Sequence, residues 1–139
     1  MGKITFNADI MGLISLFETL TQAQVKDCVM REESLLFIVN ENEIGKAVGK
    51  KGVNVRRLED RLRKRIRVVE FNPDVSRFVR NLIMPYQAKS VIVEEGIITI
   101  IPDDHKSRGM LIGKNASILR FNESIVKRYF KDINEMKVV

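Results

Sequence analysis

The chain has 139 residues, 45% of them hydrophobic and 30% charged, a balance that supports a packed core and argues against a disordered tail. No uninterrupted hydrophobic run exceeds five residues, Leu35 to Val39, which is too short for a membrane-spanning helix. Lys and Arg number 24 against 18 Asp and Glu, for a formal charge of +6 and a pI near 9.6, which favours a polyanionic partner.

The opening residues, Met1-Gly2-Lys3-Ile4-Thr5-Phe6-Asn7, lack the apolar stretch and small-residue cleavage site of a secretory leader. A lone cysteine, Cys28, excludes an intrachain disulfide and suits a reducing, cytoplasmic location. The first predicted element is a helix. Ile10, Leu13, Ile14 and Phe17 recur at i, i+3, i+4 and i+7, and Asp9 stands where a first-turn acid or N-cap belongs. Two strand-like runs follow, about 24–31 and 34–40, rich in Val, Ile and Phe and broken by Glu32-Glu33. Next comes Ile44-Gly45-Lys46-Ala47-Val48-Gly49-Lys50-Lys51-Gly52, which reads as a short helix ending at glycine, a tight turn, and a longer helix with Val55, Leu58 and Leu62 on its apolar stripe. A strand over 66–71 closes the series.

The series then repeats. Phe6-Asn7-Ala8-Asp9-Ile10 recurs 65 positions later as Phe71-Asn72-Pro73-Asp74-Val75, and Val75, Phe78, Val79 and Leu82 restate the first helical stripe. Strand-like runs at about 88–94 and 96–102 flank a Glu95-Gly96 turn. Arg108-Gly109-Met110-Leu111-Ile112-Gly113-Lys114-Asn115-Ala116 restates the glycine turn 64 positions on. A longer helix with Ile118, Phe121, Ile125 and Tyr129 follows, then a strand over 135–139. Both halves therefore read α-β-β-α-α-β, and the expected domains are residues 1–72 and 73–139.

Charge is concentrated in the first copy. Ten basic residues lie between Gly45 and Arg67, opposed only by Glu59 and Asp60, so the rest of the chain is net acidic. A charge run is ordinarily a solvated helix face, and a lone G-X-X-G is ordinarily a helix corner capped by glycines. Here the two coincide. A glycine turn opening a helix presents backbone N–H groups at the positive end of the helix dipole. Lys50 and Lys51 sit at its tip, and Arg56 and Arg57 lie in the next turn. The arrangement suits a sugar-phosphate chain.

The stretch from Ile44 to Val55 resembles the signature of KH domains, single-stranded nucleic-acid binders with a GXXG loop. The α-β-β-α-α-β order resembles the type II form. Two such domains in direct tandem resemble the KH pair of the NusA transcription termination/antitermination factors, and the short archaeal NusA-like proteins in particular. The resemblance implies an α+β sandwich-type fold, with a three-stranded mixed sheet packed on helices in each domain. It also implies that each domain clamps about four nucleotides of single-stranded RNA. The residues it assigns to RNA are Lys46, Gly49, Lys50, Lys51, Gly52, Asn54, Arg56 and Arg57 in the first copy, and Gly113, Lys114, Asn115, Ala116 and Arg120 in the second. Ala116 replaces the final glycine. Alanine is expected to take the backbone angles the turn needs, while its methyl group obstructs a passing strand and leaves the second site the weaker.

An enzyme is the first alternative weighed. GxxxxGK[ST] is absent, the glycine turn lies between two helices rather than after a strand, and one His and one Cys supply too few soft ligands for a metal site. His105, beside Asp103 and Asp104, reads as a surface residue at a helix start, and Cys28 as a small core hydrophobe. No catalytic residue, metal or cofactor is expected. Met11, Met84 and Met110 fall near apolar faces and are read as core. The remaining alternatives are a ribosome-assembly or RNA-processing KH protein and a KH-shaped interaction scaffold. An RRM is excluded by the lack of its aromatic run. The expected partner is single-stranded RNA, with RNA polymerase or a transcription elongation complex as a further candidate, no membrane, and a monomeric chain.

Overall fold

The computed structural model describes residues 6–139. The expectation that no secretory leader is present begins in residues 1–5, which lie outside the described ones. The chain divides into two compact units, Met1–Asn72 and Pro73–Val139. Each is α+β, with a mixed three-stranded sheet packed on helices.

In the first unit α1 (Phe6–Thr21) precedes an antiparallel hairpin of β1 (Val25–Arg31) and β2 (Ser34–Val39). The short helix α2 (Ile44–Val48), a 3-10 turn at Lys50–Gly52 and α3 (Val53–Leu62) then carry the chain to β3 (Arg65–Glu70). β3 pairs parallel to β2, giving the order β1-β2-β3. A parallel neighbour needs a crossover, and α2 and α3 supply it. The core fills one face of the sheet. Cys28, Leu35, Phe37, Val39 and Ile66 meet Phe17, Ala47 and Leu58 from the helices, flanked by Ile10, Leu13, Ile14, Val55 and Leu62. Phe17 stacks on Phe37 with ring centroids 4.2 Å apart, a contact worth about 1 kcal/mol beyond its buried area.

The second unit has the same element order: α4 (Val75–Ile83), β4 (Ala88–Glu94), β5 (Ile97–Pro102), α5 (His105–Ile112), a 3-10 turn at Lys114–Ala116, α6 (Ser117–Tyr129) and β6 (Glu135–Val138). β4 and β5 are antiparallel, β5 and β6 parallel. Phe78, Leu82, Ile98, Ile100, Ile125 and Met136 are its largest fully buried side chains. Phe78 meets Tyr129 edge-on at 5.9 Å.

Several local expectations are corrected. Met11, Met84 and Met110 are exposed, at 69%, 61% and 43%. Met11 lies about 100° around α1 from Ile10, off the buried stripe; Met84 ends α4 at its C-cap; and Met110 occupies the outer side of α5. The buried stripe of α6 runs through Leu119, Asn122, Ile125 and Val126, while Ile118, Phe121 and Tyr129 are only half-buried. A polar Asn in the stripe conceals its phase from a reading of apolar residues alone. α5 starts at His105, where Asp104 caps it, accepting from the Ser107 N–H at 2.7 Å. That contact holds the Asp104 carboxyl below the usual carboxylate range. His105 is exposed at this helix start and Cys28 is buried, as read from sequence. The first hairpin turns without glycine, Glu32 taking φ 51°, where the second uses Glu95 and Gly96 at φ 50° and 78°.

Candidate nucleic-acid interface

The loop between α2 and α3 is built on backbone angles that its glycines permit. Gly49 ends α2 at φ 78°, ψ 169°, and Gly52 opens α3 at φ 76°, ψ 18°. The first combination is open essentially to glycine alone. A side chain at Gly49 would also strike Asn54, whose Cγ lies 2.9 Å from where a Cβ would stand. Between the glycines Lys51 is left-handed at φ 55°, ψ 28°, which costs a non-glycine residue roughly 1 kcal/mol. The chain holds that strain at the tip of its most basic segment.

Two side chains brace the loop. Asn54 Nδ2 donates to the Lys46 carbonyl at 2.8 Å, tying α3 back to α2. Arg56 Nη1 donates to the Lys51 carbonyl at 2.6 Å, pinning the tip. The resemblance assigns both residues to RNA; in the structure they also support the loop, with the Arg56 charge retained beside it. Backbone bonds complete the turn: Gly49 N–H to the Gly45 carbonyl, Gly52 N–H to the Gly49 carbonyl and Val53 N–H to the Lys50 carbonyl. The donors at the start of α3 are thus partly consumed. The N–H groups of Lys50 and Lys51, at the tip, lie outside this pattern, and both side chains are exposed. Exposed lysines at a glycine turn that opens a helix are the ingredients of an anion cradle.

Lys46 is exposed on α2 and pairs with Glu43 at 3.4 Å. Glu43 was not singled out from sequence. Its carboxylate also accepts the Gln24 N–H at 2.8 Å, which fixes the start of α2 against the start of β1. That bond, more than the Lys46 contact, lowers its pKa. Lys46, Gly49, Lys50, Lys51, Gly52, Asn54 and Arg56 therefore form one bonded cluster. Arg57 is exposed on α3, one residue further round the helix.

The second loop repeats the backbone and changes the chemistry. Gly113, Asn115 and Ala116 take φ, ψ of 74°, 176°, of 55°, 33° and of 62°, 23°, close to their counterparts in the first loop. Asn tolerates the left-handed region well, so the tip is easier here than at Lys51. Ala116 is also left-handed. It takes the angles of glycine, as expected, but at a cost of about 1–2 kcal/mol. Asn54 is replaced by Ile118, which packs under Gly113: a Cβ there would lie 2.7 Å from Ile118 Cγ1. Arg120, the counterpart of Arg56, turns away from the loop to Glu123 at 2.9 Å. Glu123 also accepts the Met136 N–H at 2.8 Å. Gly113, Lys114, Asn115 and Ala116 are brought together; Arg120 is not part of their cluster. The 64-residue offset carries these differences in the sequence, because it sets Ile118 against Asn54 and Ala116 against Gly52.

Comparison with known proteins agrees with this geometry. A family model described as KH domain matches residues 13–82. A protein of Methanocaldococcus jannaschii named "Probable transcription termination protein NusA" is 30% identical over 142 residues, covering 100% of this chain and 77% of its own length. One of the same name from Halococcus morrhuae is 28% identical, covering 98% and 99%. The crystal structure of APE1850 superposes with a TM-score of 0.76 at 26% identity, covering 96% of this chain and 100% of its own.

Proposed function

We propose, from the premise that this chain belongs to the KH domain family and is related to the archaeal NusA proteins, that it binds single-stranded RNA through the Gly49–Gly52 loop and acts in transcription termination or antitermination. The observation that carries the reading is the braced loop: two exposed lysines offered together at the tip of a basic helix–turn–helix. A nucleic-acid backbone meets fixed amides there, with mobile positive charge on either side. Recognition of bases falls to aliphatic side chains beside the loop, since the deeply buried Phe17, Phe37 and Phe78 are unavailable for stacking.

The repeated element order supports a second KH domain over residues 73–139, and its altered loop makes it the weaker binder. No reaction chemistry is assigned to either unit. Contact with RNA polymerase or an elongation complex is part of the same proposal, as is a cytoplasmic location.

Replacing Lys50 and Lys51 together by Asp tests the assignment. The double variant should keep its circular dichroism spectrum and lose about two orders of magnitude in affinity for a single-stranded oligonucleotide, near tenfold per reversed charge. Parental affinity in a folded double variant would remove the loop from the site. Crosslinking of bound RNA in cells separates the roles, nascent transcripts supporting the transcriptional one and ribosomal RNA precursors the alternative.

A further inference from the structure

Five of the seven residues from Arg61 to Arg67 are basic, and none is acidic. This run forms the corner between the C-terminus of α3 and the start of β3, the opposite end of α3 from the glycine loop. A basic residue near a helix C-terminus is ordinary, because it offsets the negative end of the dipole. One or two charges within the last turn achieve that. Arg65 and Arg67 lie beyond the helix, on β3.

The individual residues differ in what occupies them. Lys64 pairs with Glu33 at 3.7 Å. Arg67 is exposed, desolvation lowers its pKa, and it has an interaction of its own, so it is set apart from the others. Arg61, Arg63 and Arg65 are exposed, and among the described residues no carboxylate lies within ion-pair distance of them. Of the two acids on α3, Glu59 is engaged with the Ile66 N–H at 3.1 Å, and Asp60, the nearer to Arg61, is exposed and makes no ion pair with these arginines. Arg57 and Arg61 stand one turn apart on the exposed side of α3, a like-charge pair that destabilises a helix by a few tenths of a kcal/mol. Arg63 additionally takes a left-handed conformation, φ 57°, at the C-cap. The left-handed Arg63 is the helix cap itself, its N–H bonded to the Glu59 carbonyl, so what capping does not require is the like-charge repulsion along the corner.

We propose that Arg61, Arg63 and Arg65 form a second phosphate-binding surface. It takes the RNA backbone flanking the nucleotides held at the glycine loop, and Arg57 links the two along α3. The inference rests on the RNA-binding reading above and adds to it a longer footprint on the first unit. α3 has 10 residues and spans about 15 Å, so a strand of ten nucleotides is long enough to fill the four-nucleotide groove at the loop and run on to the corner.

The test is the dependence of affinity on salt, which counts phosphate contacts. The full chain carrying R61Q/R63Q/R65Q is compared with the parent on oligonucleotides of four and ten nucleotides. With ten nucleotides the slope of log affinity against log salt should fall by about 2, near 0.7 for each lost contact to a single strand. With four it should be unchanged. R61K/R63K/R65K should restore the parental slope, which separates charge from altered folding. An unchanged slope on ten nucleotides in the folded Gln variant overturns the inference, as does binding of an acidic peptide at the corner without any RNA contribution. Failure of the RNA-binding reading itself shows differently: the parent then binds neither oligonucleotide.

Discussion

Ala116 is the residue at which the two loops part. It adopts φ 62°, ψ 23°, where its counterpart Gly52 has φ 76°, ψ 18°, so the second loop carries strain that glycine removes at no steric cost. Ala116→Gly should stabilise the second unit by about 1 kcal/mol, the relief of left-handed strain less the added freedom of glycine in the unfolded chain. Urea denaturation reads this directly, and a variant no more stable than the parent refutes it. The same substitution should strengthen RNA binding or leave it unchanged; clear weakening would show that the methyl group is no obstruction. Residue identity at these loops was largely legible in the sequence, since glycine spacing and lysines are visible there. The bracing roles of Asn54 and Arg56 were not, because they depend on where each side chain reaches back across the turn.

At the scale of elements, burial of sheet faces accounts for most of what forms, with β2 buried on both of its faces. β2 contributes Leu35, Phe37 and Val39 to the helical core, and Cys28 stands opposite Phe37 in the ladder. Desolvation, with a smaller contribution from the Asp27 charge, pushes the Cys28 thiol up from 9.0 to about 12. The folded unit therefore holds the proton more tightly than the unfolded chain. That contribution to stability is complete below about pH 9 and lost as the pH rises toward 12. At pH 8 the native protein should resist a thiol-specific disulfide reagent and react in denaturant; prompt reaction of the native protein would contradict the burial. Strand and helix existence followed from hydrophobic period, and boundaries agreed within a residue or two for the strands. The stripe of α6 did not, because Asn122 occupies a buried position that composition would place outside.

For the whole molecule, two units joined directly at Asn72–Pro73 present the two loops on one chain. If both act on one strand, an oligonucleotide long enough to reach both should bind more tightly than a short one through effective concentration. In the R61Q/R63Q/R65Q background, which removes the corner surface, equal affinities for short and long strands would count against joint action. Ala116→Gly should widen the difference by improving the second site. The sequence by itself determined the repeat, the order of elements, the basic segment and the two glycine loops, since each is written in local spacing: period, turn residues and charge. Only the tertiary structure decided which side chains hold the first loop, that Arg120 turns to Glu123 instead, which methionines are exposed, and which arginines at the α3–β3 corner make no ion pair. These depend on the rotamer each side chain takes and on how it packs across a turn or between elements, even where the partners are near in the chain, and the spacing of residue types does not encode that.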